Sequence, residues 1–71
     1  MKYLEFLEND EIVKWSGDVK FTFKKYSSSQ YIVIVAMPGR LVYGNDVTWN
    51  EWHNASVVLP DIDAYAIYEN I

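Results

Sequence analysis

The chain has 71 residues and a mass of 8.3 kDa, which is enough for one domain. A domain of this size buries only about 60% of the surface its unfolded chain exposes. The absence of cysteine removes disulfides and thiolate metal sites as reinforcement. Ten acidic residues against six basic ones give a net charge of -4, which disfavours a general nucleic-acid binder with its basic footprint.

Hydrophobic residues make up 51% of the chain, too many for a disordered tail. Three Trp and six Tyr outnumber the three Phe. Rings with both an apolar face and a polar tip collect at interfaces and stacking sites, so a homo-oligomer is expected. Glu5, Glu8, Asp10 and Glu11 break the first apolar stretch, so it does not read as a signal peptide. The longest apolar run, 31–37, is too short to span a bilayer. The expectation is a soluble intracellular protein with no membrane contact.

Residues 1–7 predict a short helix. Leu4 and Leu7 share a face, as do Tyr3 and Leu7, while Glu5 and Glu8 fall towards the other side. Asn9 and Asp10 end it with turn chemistry. Residues 11–15 form a short β-prone segment closed by Ser16, Gly17 and Asp18. The clearest strand is 19–26, with Val19, Phe21 and Phe23 on one face and Lys20, Thr22 and Lys24 on the other. Residues 27–30 form a loop. The run 31–37 is apolar on both faces, which asks for a central strand or a subunit interface.

Pro38 and Gly39 predict a turn after that run, followed by a short strand at 41–43 that Gly44, Asn45 and Asp46 stop. Residues 47–54 fit two readings. Thr48 and Glu51 have capping-box spacing, yet Val47, Trp49 and Glu51 alternate. Residues 57–59 are a strand candidate ended by Pro60. Residues 61–71 stay open between a helix capped by Asp61 and a strand with Ile62, Ala64, Ala66 and Tyr68 alternating. The fold class is α+β, a single domain over 1–71: one short N-terminal helix packed on a small antiparallel sheet of four to five strands.

No catalytic constellation stands out. His53 is the single histidine, cysteine is absent and no Gly-rich phosphate loop is present, so neither enzyme activity nor a cofactor is expected. Asp61 and Asp63 read as solvated surface, and with His53 they lack diagnostic metal spacing. The tryptophans carry more. Trp49 and Trp52 are neighbours if helical and lie on opposite faces if extended. They suit core and interface packing, or a wall on which a planar base stacks. Trp15 follows Lys14 and precedes the 16–18 turn, so a cation, an aromatic plane and turn N–H groups occur together.

Four features in chain order resemble one family of small phage proteins. An N-terminal helix leads to Ile12, Val13, Lys14 and Trp15, and an apolar strand runs into Pro38 and Gly39. A Trp-and-Ser segment follows at 52–56, and the ending at 61–69 reads DIDAYAIYE. The pattern is similar to the second type of Thoeris anti-defence protein. Here Lys14 stands alone where that family has a basic pair and a glycine before Trp.

The resemblance implies a homo-oligomeric sponge that binds a cyclic nucleotide second messenger, of cyclic ADP-ribose or cyclic oligonucleotide type, without cleaving it. It would act in the cytoplasm of the infected bacterial host, without direct contact to DNA or RNA. Trp15 would stack on a base, with Lys14 or Arg40 near phosphate. Trp49, Trp52 and Asp61, which opens the matching C-terminal segment, complete the candidate ligand set. A second reading from another class is a small acidic inhibitor of a host defence enzyme, of anti-restriction or anti-CRISPR type, using Glu5, Glu8, Asp10 and Glu11. An SH3-like adaptor barrel ranks third, on short strands and aromatics alone.

Overall fold

The computed structural model describes residues 2–41 and 49–71, with side chains at 2–38 and 54–71. Helix α1 (Tyr3–Leu7) leads into strand β1 (Glu11–Ser16), then β2 (Val19–Ser27), β3 (Gln30–Leu41) and β4 (Trp49–Pro60), and helix α2 (Asp61–Glu69) closes the chain. The four strands form one antiparallel sheet in the order β1-β2-β3-β4. The architecture is α+β with a small antiparallel sheet, as the strand patterning requires. Among the described residues no helix is long and apolar enough to cross a membrane.

Local chemistry explains the connections. Gly17 has φ +62° at the first central position of a two-residue hairpin loop, where a left-handed residue matches the twist of the strands. That loop pairs Ser16 with Val19 and so fixes Trp15 opposite Lys20. Between β2 and β3 the Ser27 hydroxyl donates to Gln30 Oε1 at 3.0 Å, and the register shifts around Tyr26 as at a bulge. Both helices end the same way. Asn9 Nδ2 donates to the Glu5 carbonyl at 2.8 Å, and Asn70 Nδ2 donates to the Ala66 carbonyl at 2.7 Å. Asp61 and Asp63 place negative charge in the first turn of α2, where the helix dipole favours it.

The core lies between the two helices and one face of the sheet. Phe6 of α1, Phe23 of β2, Tyr31 and Val33 of β3, and Ala64 of α2 are buried. Ile12, Phe21, Val35, Leu59 and Tyr68 pack around them. Phe6 sits at the centre of an aromatic group, 5.9 Å from the Phe23 ring, 4.8 Å from Tyr31 and 5.4 Å from Tyr65. Edge-on and tilted contacts of this kind add about 0.5–1.5 kcal/mol per pair beyond area burial. The Tyr31 hydroxyl, buried at this junction, reaches the Phe6 carbonyl at 3.2 Å and the Asn9 carbonyl at 3.0 Å, tying β3 to the end of α1.

The structure corrects one expectation and resolves two. Pro38 and Gly39 do not turn the chain: β3 continues through them to Leu41, with Pro38 opposite Trp52 and Leu41 opposite Trp49. Proline is tolerated because β2 pairs with β3 only as far as Ala36, so beyond that point β3 has a neighbour on one side alone. The expected strand at 41–43 reaches the described residues only at Leu41, and the stop at 44–46 lies outside them. From Trp49 the ambiguous 47–54 segment is strand, and 57–59 belongs to the same twelve-residue β4. The 61–71 segment is helix, since Pro60 ends β4 and Asp61 begins a turn that buries Ala64.

Candidate ligand-binding face

Strand alternation divides the sheet into two faces. Ile12 and Lys14 of β1 point with Phe21, Phe23, Val33 and Val35 towards the helices, while Val13 and Trp15 point to the other face. On that face, which neither helix covers, the register lines up one residue from every strand. Trp15 is opposite Lys20, Lys20 opposite Ala36, and Ala36 opposite Asn54. These four residues line a shallow, open depression of about 310 Å³. Its size falls at the lower end of small-molecule sites, which run from about 300 to 1,000 Å³.

Each wall has a distinct chemistry. Trp15 is 53% exposed and contributes an indole to this face. Lys20 contributes an ammonium on a flexible stem, a point charge suited to phosphate. Ala36 leaves the floor low, and Asn54 carries an amide with a donor and an acceptor side by side. Val13, Ile32, Ile34 and Val58 extend the same face with apolar surface, and Val13 and Val58 are exposed.

The expected ligand set does not come together as a unit. Trp15 is in the depression, whereas Lys14 faces the opposite side of the sheet. Its Nζ donates to the Tyr68 carbonyl at 3.0 Å and lies 4.1 Å from the centre of the Tyr68 ring. The pairing satisfies a carbonyl in the last turn of α2 and places a cation near the negative end of the helix dipole. Asp61 is also on the helix side. Burial and a hydrogen bond to its carboxylate push the Tyr3 hydroxyl above the ordinary tyrosine range, and its backbone N–H donates to Ser29 at 3.0 Å. Arg40, Trp49 and Trp52 belong to the β3–β4 ribbon, where Arg40 pairs with Asn50. Their side chains lie outside the described residues.

Lys20 and Asn54 are the additions. The Gly17-Asp18 loop already implies the Trp15–Lys20 pairing, so Lys20 was within reach of sequence reasoning. Asn54 was not, because its place depends on the β3–β4 register across 42–48. Among the described residues no group of three or more His, Cys, Asp or Glu side chains could hold a metal ion. Comparison with known protein families, curated proteins and solved structures returned no match.

Proposed function

We propose that this chain binds a cyclic nucleotide signal on the open face of its sheet and holds it intact, as a phage sponge acting in the host cytoplasm. The observation that carries the reading is the row of Trp15, Lys20, Ala36 and Asn54 in one depression. A stacking plane, a cation and an amide in line match the three parts of a nucleotide: base face, phosphate and base edge. The overall charge of -4 opposes long-range capture of an anion, so the local ammonium of Lys20 supplies the attraction. The row binds and orients; its indole, methyl and amide groups exchange no proton near neutral pH. Homo-oligomerisation belongs to the same proposal, because the face away from the helices carries Val13, Ile32, Ile34 and Val58.

Thermal melting against cyclic dinucleotides and cyclic ADP-ribose isomers tests binding, since a ligand that binds only the native state must raise the melting temperature. Heat release followed by mass spectrometry should return the bound nucleotide unchanged. Recovery of a cleaved or linearised product would overturn the non-enzymatic part. A second reading has its own observation: Glu5, Glu8, Asp10 and Glu11 are all exposed around the end of α1. If no nucleotide shifts the melting curve while a purified defence nuclease does, that acidic surface becomes the working site.

A further inference from the structure

We propose that the outer edge of β4 pairs with the same edge of a second copy of this chain, antiparallel about a two-fold axis at Ser56. The proposal rests on the homo-oligomer reading above, not on nucleotide binding, and adds the contact that makes the oligomer. β4 is an outer strand of the sheet, with β3 on one side. All five residues 54–58 are exposed. A strand with one face covered hides alternate residues, as β1 does: Ile12 and Lys14 are half-buried, whereas Glu11, Val13 and Trp15 are exposed. Val57 lies opposite Val33 on the helix side and Val58 opposite Ile32 on the other face, yet the two are 49% and 37% exposed. A helix or a second sheet laid on one face would cover one of these valines and leave the other. One more strand beside β4 covers both, because successive side chains of a strand alternate between faces.

Charge identifies that strand. A two-fold contact sets a patch against itself, so any charge at its centre meets its own like. Residues 54–59 read NASVVL and carry none, so the net charge of -4 stays outside the contact. β1, the other outer strand, carries Glu11 and Lys14, charged residues of the kind that block edge pairing. Pairing through β4 therefore gives one eight-stranded sheet that ends in a β1 on each side and grows no further. Centring the axis on the exposed run sets Ser56 opposite Ser56 of the partner subunit. Ala55 then faces Val57 of the partner subunit, and Asn54 faces Val58 of the partner subunit.

Because the chain has no cysteine, disulfide trapping reads this register directly. Residues directly opposite in an antiparallel pair have Cα atoms about 4.5–5.5 Å apart, within disulfide reach. Positions one residue off the axis lie about 8 Å from their own copies, which is out of reach. Ser56→Cys should therefore form a covalent dimer on mild oxidation. Ala55→Cys and Val57→Cys should do so when mixed and not when alone. The native chain should sediment at about twice 8.3 kDa, and Val57→Lys should return it to a single chain that still melts cooperatively. Trapping of Asn54→Cys, Ser56→Cys and Val58→Cys alike, with none from the mixture, would overturn the edge contact in favour of stacked open faces. An oligomer that none of these variants traps would overturn the edge contact and leave the homo-oligomer reading standing. A native chain that sediments as a monomer would overturn both.

Discussion

Lys14 and Trp15 are adjacent in the chain and serve opposite faces of the sheet, so their substitutions should separate cleanly. Trp15→Ala should weaken nucleotide binding by about 1–3 kcal/mol, roughly five- to 150-fold, as expected for one lost base stack. The fold should survive, because the indole is already half exposed. Lys14→Met should do the reverse. Losing the bond to the Tyr68 carbonyl and the cation over the Tyr68 ring should cost about 1 kcal/mol of stability and leave affinity unchanged. Parallel chemical denaturation and ligand titration check both; a Lys14→Met protein with full stability and impaired binding would refute this division. Tyr65 gives a residue-scale pH prediction. Its hydroxyl donates to the Glu69 carboxylate, and that bond, with burial second, pushes its pKa up to about 12. An unfolded tyrosine ionises near pH 10, so the unfolded state loses its proton first. The contribution is complete below pH 10 and is lost as pH rises to 12. Melting temperature should therefore drop over that interval, and less steeply in Tyr65→Phe.

At the scale of the element, β3 holds the clearest contrast. Val33 points to the helices and is buried against Phe6, Phe23 and Ala64, whereas Ile34 points to the open face opposite Thr22 and Ser56. Val33→Asp should abolish cooperative unfolding, because an unpaired carboxyl in the core, added to the lost Val33 packing, removes most of a total stability of roughly 4–11 kcal/mol for 71 residues. The sequence pattern alone makes Ile34→Asp look equally damaging. In the structure the residue is only partly covered, so the variant should still melt cooperatively, at a lower temperature. Circular dichroism melts of the two variants decide the point; equal loss of folding would mean that both faces of β3 are sealed.

The whole molecule is elongated. Its radius of gyration is 15.0 Å, against about 11 Å for a compact domain of this length, and its longest dimension is 51 Å. The cause is that β3 and β4 outrun β1 and β2, leaving five pairs from Met37–His53 to Leu41–Trp49 as a two-stranded ribbon. Such a ribbon is marginal by itself. Together with the apolar open face it leads us to expect a homo-oligomer. Sedimentation at micromolar concentration should show a species heavier than 8.3 kDa, and Ile34→Asp should shift it towards the monomer.

The first hairpin and the alternation of β2 were legible along the chain. Alternation in 19–27 marks Phe21 and Phe23 as one face, and a glycine able to adopt φ +62° sets the Trp15–Lys20 register. Both are local properties, written by period two and by one backbone conformation. Helix 61–69 was not legible, because its apolar residues fit either period until packing against β3 and α1 buries Ala64. Nor was the fate of Lys14, whose partner carbonyl is 54 residues away. Periodicity says which side chains share a face of β3, but both faces are apolar. Only where α1 and α2 dock determines that Val33 enters the core and that Trp15, Lys20, Ala36 and Asn54 line a depression on the other face.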